Sequence, residues 1–333
     1  MAEENEIESQ LRTFVRTKTA DPAAEVGAIR SLPGHAGQSY SFELDANGKR
    51  EKLVLRVAPA GVRISGTSDV ARQARVMRSL EGTGVPTPPI RWLEDDPHWF
   101  GRPYFVAEFV TAHKLALGDH EFKPEEQPKL GSLTMKMLAT LHSLPWEPRR
   151  EIWGEPVSLT AEMARLDTLL DRPTLDPVII ASTPKLKERL LATLPPNPRI
   201  GCVHGDLNWT NCMYADGELK AVIDWELSQI GAVLIDLGWI CLFSDRATWV
   251  VKDLIPPYVQ QPEELAAIYR EYAQWPIADA DVRWFCAFAH YRFGVITAFN
   301  VMLHRRGKRH DPMWEDIALT GPRFFERGLE LLG

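Results

Sequence analysis

At 333 residues the chain is long enough for two lobes, each with a core of its own. Its 45% hydrophobic and 25% charged residues are the ordinary balance of a soluble globular protein. A formal net charge of −7 leaves no electrostatic footprint for nucleic acid; it suits a cationic substrate but is also a common surface charge.

The run Met1-Ala2-Glu3-Glu4-Asn5-Glu6 is acidic and has no apolar core, so a signal peptide is not expected. Residues 1–20 have helix-forming composition, and residues 1–25 are expected either as a peripheral helix packed on the surface or as a partly mobile segment. From Ile29 the pattern turns strand-like. Tyr40, Phe42 and Leu44 alternate with polar residues, Asp45-Ala46-Asn47-Gly48 makes a turn, and Lys52–Val57 is the next strand. Ser68 or Asp69 can cap a helix running to about Leu80, with Val70, Val76, Met77 and Leu80 on its apolar side. The Pro-rich run Val85–Pro89 ends that helix. Arg91–Leu93 and Tyr104–Phe109 are further strands.

After Thr111 the pattern becomes helical. Leu130, Leu133, Met137, Leu138 and Leu141 keep helical spacing up to Pro145. Residues 160–170, 184–193 and 262–274 read as helices. Asp281–Arg306 reads as a long helix with acids at its start, bases at its end and Gly307 as its stop. The apolar run Ile230–Phe243 is broken by Asp236 and is too short to span a bilayer. Cys202, Cys212, Cys241 and Cys286 lie in apolar stretches without a C-x-x-C pair. That spacing predicts reduced, buried thiols in a cytoplasmic protein.

The segment His204-Gly205-Asp206-Leu207-Asn208-Trp209-Thr210-Asn211, followed by Ile223-Asp224-Trp225-Glu226, carries the chemistry. Asp206 is placed to take a proton from an attacking hydroxyl, and Asn211 and Asp224 are hard oxygen ligands of the kind Mg²⁺ prefers. Cys212–Tyr214 and Leu219–Ile223, joined at Asp216-Gly217, read as a hairpin that would return Asp224 to the cavity of Asp206. Singly, His-Gly-Asp is usually a turn and an Asp after an apolar strand is often a helix cap; the joint pattern is far more specific.

These residues resemble the catalytic loop and metal-binding segment of protein kinases. The Gly after His204 and the Trp-Glu after Asp224 are more similar to the aminoglycoside phosphotransferase/choline kinase superfamily. Asp224-Trp225-Glu226-Leu227-Ser228 with Asp236-Leu237 looks most like the phosphotransferase domains related to those fused to acyl-CoA dehydrogenases. The resemblance runs from about residue 25 to the C-terminus and is strongest over 200–240. It implies an α+β, protein-kinase-like two-lobe fold: a small β-rich lobe over 1–107, a hinge at 108–112, and a larger helical lobe over 113–333. Small β lobe, hinge and α lobe are also what the hydrophobic patterning gives.

The resemblance further implies Mg-ATP as phosphoryl donor and a small-molecule hydroxyl acceptor, with no nucleic acid or membrane partner. Asp206 is then the catalytic base and Asn211 and Asp224 the metal ligands, with His204, Asp236 and Glu226 in support. Gly34 and Gly37, in Ser31–Ser39, stand where kinases carry a loop over the phosphates. Arg56 stands where the family has a phosphate-binding Lys, and Gln73 where the Glu that pairs with it is expected; both are departures from the pattern. Glu108-Phe109-Val110 is the implied hinge, with the backbone of Glu108 and Val110 facing adenine. Trp239, Asp245, Trp275, His290, Tyr291 and Arg292 are substrate candidates, each also readable as packing. The basic run His304–His310 reads better as a solvated helix end than as an anion site. An aminoglycoside, an amino alcohol and a hydroxyacyl compound all remain open as acceptors. Arg56 and Gln73 motivate a second reading, a nucleotide-binding pseudokinase with a regulatory role. A protein kinase is disfavoured because no Ala-Pro-Glu-like segment follows Asp224.

Overall fold

A computed structural model describes residues 2–32, 38–59, 69–94, 97–115 and 122–333. The chain divides into two compact units: Met1–Ala112 with Lys220–Ser228, and His113–Leu219 with Gln229–Gly333. Lys220–Ser228, expected in the later lobe, thus groups with the first unit.

The first unit is built on an antiparallel sheet. Its elements are α1 (Ala2–Thr19), β1 (Glu25–Val26), β2 (Arg30–Leu32), β3 (Gln38–Ala46), β4 (Lys49–Val57), α2 (Val70–Ser79), β5 (Ile90–Glu94) and β6 (Tyr104–Glu108). The strand order is β1-β3-β4-β6-β5, with β2 also on β3. The turn between β3 and β4 is shorter than Asp45–Gly48. Ala46 pairs with Lys49, leaving Asn47 and Gly48 at φ 52° and 73°, the left-handed pair a two-residue hairpin needs. Tyr40, Phe42 and Leu44 are buried, as their alternation predicts. Asp69 caps α2 by accepting the Arg72 amide at 2.9 Å.

The N-terminal helix is not merely peripheral. Ile7, Leu11, Phe14 and Val15 form one helical stripe and are buried in the core of this unit. The Phe14 ring lies 5.4–5.6 Å from Trp92, Trp99, Phe100 and Tyr104. These apolar positions, spaced four and three apart, hold α1 on the sheet despite the acidic first turns.

The second unit is mainly helical. In order it carries β7 (His113–Lys114), α3 (Gln127–Ser143), α4 (Arg150–Trp153), α5 (Leu159–Leu170), α6 (Pro177–Ile180), α7 (Thr183–Ala192), β8 (Ile200–Val203) and β9 (Cys212–Ala215). Strand β10 (Glu218–Val222) begins here and runs on into the first unit. Then come β11 (Gln229–Ala232), α8 (Leu234–Leu242), α9 (Pro262–Tyr272), α10 (Asp279–Arg305), α11 (Met313–Ala318) and α12 (Gly321–Leu332). The expected hairpin turn falls at Asp216 and Gly217, at φ 55° and 71°. A second antiparallel pair, β8 with β11, went unforeseen: the start of the run Ile230–Phe243 is strand, and the rest is α8. The long helix α10 is buried from Trp284 to Val295. Gly238 of α8 lets the α10 backbone approach closely, since a Cβ there would collide with the Phe285 carbonyl. All four cysteines are buried and unbridged. Among the described residues, no helix is long and apolar enough to cross a membrane.

Candidate functional site

The loop that follows β8 is held by one buried carboxylate. Asp236, in the first turn of α8, is fully buried. Its Oδ2 accepts the His204 amide at 2.7 Å and its Oδ1 accepts the Gly205 amide at 2.8 Å. His142 of α3 lies 3.2 Å from Oδ2 through Nε2, and Tyr269 of α9 lies 2.6 Å from His142 Nδ1. Burial pushes the Tyr269 phenol up and the His142 imidazole down, so Tyr269 donates and His142 is neutral with its proton on Nε2. Burial alone would raise the Asp236 carboxyl. The hydrogen bonds from His142 and from the Gly205 amide outweigh it and hold the group below the usual carboxylate value.

This brace fixes the residues that follow. His204 is buried, and its Nδ1 accepts the Asp206 amide at 3.2 Å. Gly205 takes φ 86°, which a side chain would strain. Asp206 is half-buried. Its Oδ1 accepts from Trp239 Nε1 at 2.8 Å, and its Oδ2 accepts from Asn211 Nδ2 at 3.1 Å. Asn211 Nδ2 also reaches the Asp206 carbonyl at 2.9 Å. With its nitrogen so used, Asn211 presents Oδ1, which accepts no hydrogen bond among the described residues. The short 3-10 turn Trp209–Asn211 is anchored by Trp209 Nε1 on Ser244 Oγ at 3.1 Å.

Asp224 belongs to the first unit and has a different setting. It adopts φ 67° and ψ 55°, a left-handed conformation that Asp tolerates better than bulky residues. Its Oδ1 lies 3.2 Å from Arg56 Nη2, which also reaches Glu226 Oε2 at 3.4 Å. Glu226 therefore both lies within the 3-10 turn Trp225–Leu227 and pairs with Arg56. Trp225 Nε1 donates to the Val222 carbonyl, and Arg72 Nη2 of α2 donates to the Ser228 carbonyl at 2.6 Å. Gln73 is buried in α2; the acid partners of Arg56 come from the Asp224 segment, since α2 carries no acid. Glu108 ends β6 and gives its amide to the Pro89 carbonyl, and the Phe109 amide goes to the Lys52 carbonyl. Val110 follows as half-buried coil. Gly34 and Gly37 lie outside the described residues.

Asn211 offers an amide oxygen and Asp224 a carboxylate, each a hard donor of the kind Mg²⁺ takes. Groups of three or more His, Cys, Asp or Glu able to hold a metal are absent among the described residues.

The substrate candidates separate. Trp239 touches Asp206 directly, and the Arg292 guanidinium stacks over the Trp239 ring at 4.3 Å. Asp245 and His290 spend their bonds internally. Asp245 accepts from Thr248 at 2.9 Å and from Arg327 Nε at 2.8 Å; His290 lies 2.7 Å from both Thr248 Oγ1 and the Cys286 carbonyl. Tyr291 packs edge-on against Phe325, and Trp275 lies beneath Arg199. Sequence reasoning missed His142, Tyr269 and Arg72. Only His142 carried a signal, a polar residue on the buried face of an apolar helix.

The Phosphotransferase enzyme family is matched over residues 29–278. Acyl-CoA dehydrogenase family member 11 of Homo sapiens is 29% identical over 206 residues, 58% of this chain and 25% of that protein. This chain spans about a quarter of the length of the curated relatives it matches. Among solved structures, a candidate aminoglycoside phosphotransferase from Ralstonia eutropha superposes with a TM-score of 0.78 at 21% identity, covering 97% of both chains. A thermostable mutant of aminoglycoside phosphotransferase APH(4)-Ia, in a ternary complex with AMP-PNP and hygromycin B, gives 0.64 at 16%, covering 96% of this chain and 98% of that one. At these identities the likeness is one of fold, and that fold is kinase-like.

Proposed function

This chain belongs to the phosphotransferase enzyme family, and on that premise we propose that it moves the γ-phosphoryl of Mg-ATP to a hydroxyl of a small molecule. Asp206 is the base: it orients the acceptor hydroxyl and takes its proton late in an in-line transfer. Trp239 and Asn211 fix its carboxylate, so the base needs no reorientation when the acceptor arrives. Asn211 and Asp224 hold Mg²⁺, which when bound neutralises charge on the phosphates. Arg56 serves as the phosphate cation, with Glu226 holding its guanidinium; Gly34, Gly37, Gln73, Glu108 and Val110 complete the nucleotide side. His204 and Asp236 brace the loop. The observation that carries this reading is the Asp206 carboxylate, gripped at both oxygens within a loop pinned by a buried Asp. The related fold bound to AMP-PNP and hygromycin B supports both a nucleotide and a small-molecule acceptor.

One observation favours a second reading. Arg56 occupies an oxygen of Asp224, as in a nucleotide-binding pseudokinase whose metal ligand is diverted. ADP release from Mg-ATP, measured across aminoglycosides, amino alcohols and hydroxyacyl compounds, separates the two. Phosphotransfer predicts acceptor-dependent turnover that falls about a thousandfold in Asp206→Asn while Mg-ATP still raises the melting temperature. Nucleotide stabilisation without turnover on any acceptor would favour the pseudokinase.

A further inference from the structure

Trp239 reaches the base from α8, and α10 in turn holds Trp239. The Arg292 guanidinium stacks over the indole ring at 4.3 Å. Phe293, the next residue of α10, and Phe243, at the end of α8, meet the same ring edge-on, each with centroids 5.6 Å away. On its far side Trp239 Nε1 donates to Asp206 Oδ1 at 2.8 Å. Asn208 Nδ2 also reaches Oδ1, but at 3.3 Å, so the indole is the shorter donor to that oxygen.

Arg292 is 3% exposed, and its Nε is buried with no hydrogen-bond partner. Among the described residues, the stack on Trp239 is its one directed contact. A guanidinium keeps its charge when buried. Arg165 and the carboxylates of Glu162, Asp206 and Asp236 lie round it at longer range, so the fold itself supplies the counter-charge and no further anion is called for. The guanidinium therefore acts through its flat face, on the indole. Edge-on phenyl contacts are weak, and a desolvated cation against the ring face is the stronger constraint on the plane of the ring. We propose that Arg292 is a positioning residue for the base: by clamping the plane of Trp239 it keeps Nε1 aimed at Asp206 Oδ1. Its effect on turnover rests on the phosphoryl-transfer reading of Asp206; its effect on the indole N–H does not.

The test joins nuclear magnetic resonance of the indole N–H groups to steady-state kinetics, both on the full chain. The chain has 11 Trp, and Trp239→Phe identifies the Trp239 signal by its loss. In the wild type that N–H exchanges slowly with water, and Asp206→Asn shifts its signal. Arg292→Met shifts it too and speeds its exchange at least about tenfold. Arg292→Lys, which keeps a cation at the ring, stays nearer the wild type. In kinetics, Arg292→Met and Trp239→Phe each lower kcat about tenfold with KM for Mg-ATP unchanged. Arg292→Lys recovers most of that loss, and a variant carrying both Arg292→Met and Trp239→Phe is no slower than Trp239→Phe alone. If Arg292→Met does not fold, Arg292→Gln replaces it, and an unchanged kcat in Trp239→Phe overturns the proposal in either case. So does an unmoved Trp239 signal in Arg292→Met. A Lys variant as impaired as the Met variant, or additive losses in the double variant, also overturns it, as marks of an arginine that only packs. A wild type without turnover, in which Arg292→Met still moves the Trp239 signal, faults the phosphotransferase reading and leaves the positioning role standing.

Discussion

The loop carrying Asp206 and the segment carrying Asp224 both present an acid of the same proposed reaction, yet they are held by different physics. Asp206 stands in a buried hydrogen-bond lattice: Asp236 takes two backbone amides, His142 and Tyr269 complete the chain of donors, and Trp239 and Asn211 grip the carboxylate. Asp224 sits in a left-handed turn, a third exposed, and is held by charge on Arg56, which it shares with Glu226. The first arrangement holds its carboxylate by directed hydrogen bonds from within the fold. The second is an ion-pair cluster, and under the proposed function metal and phosphate would compete for its oxygens and its guanidinium. A rigidly held base and exchangeable charge near the nucleotide are what the proposed phosphoryl transfer would ask of these two segments.

The largest effect should come from breaking the buried lattice. Asp236→Ala strands two amides and the His142 N–H in a dry interior, at a cost of about 4 kcal/mol. Urea denaturation should show that loss with turnover falling alongside it. A variant that keeps its stability but loses activity would mean that Asp236 acts at the chemistry and not through the loop.

A smaller effect tests whether the second unit depends on neutral buried imidazoles. Burial pushes His290 down from 6.5 to about 4. A histidine with a folded value below its unfolded one contributes its full stability above the unfolded value. That stability is lost as pH falls toward the folded value, because the unfolded chain binds the proton first. Unfolding free energy should therefore drop between pH 6.5 and 4, by at most ~3 kcal/mol for this group. The drop should be shallower in His290→Gln. An unchanged slope would show that His142 or the carboxylates carry the acid sensitivity.

The same contrast explains what the sequence made legible. Asp206, Asn211 and Asp224 lie within a short stretch, and their spacing reflects local turns, so the sequence alone could propose them as a group. Tyr40, Phe42 and Leu44, and the faces of α2, α3 and α10, follow simple periods. The lattice under Asp206 could not be read, because His142 and Tyr269 arrive from positions 94 residues before Asp236 and 127 residues beyond His142. The strand β11 was hidden for another reason: a short apolar run buried on both faces has no period to separate it from the helix that follows. Trp239 and Arg292 drew notice as aromatic and charged residues in apolar helices, but their relation to Asp206 needed the fold. The buried stripe of α1 was present in the sequence at Ile7, Leu11, Phe14 and Val15, and the acidic residues around it obscured it.

The smallest predicted effect bears most directly on the nucleotide side. Arg56→Ala removes a cation that two carboxylates share, leaving Asp224 and Glu226 to repel each other. Because both acids are partly solvated, stability should move little, and the loss should appear as a rise of about tenfold in KM for Mg-ATP. Arg56→Lys keeps the charge but not the fork, so its KM should fall between the two. Steady-state kinetics at saturating acceptor separate the alternatives. A change confined to KM marks Arg56 as a nucleotide contact. Faster turnover in Arg56→Ala would instead mean that the guanidinium restrains Asp224, and that the ion pair holds this half of the site inactive.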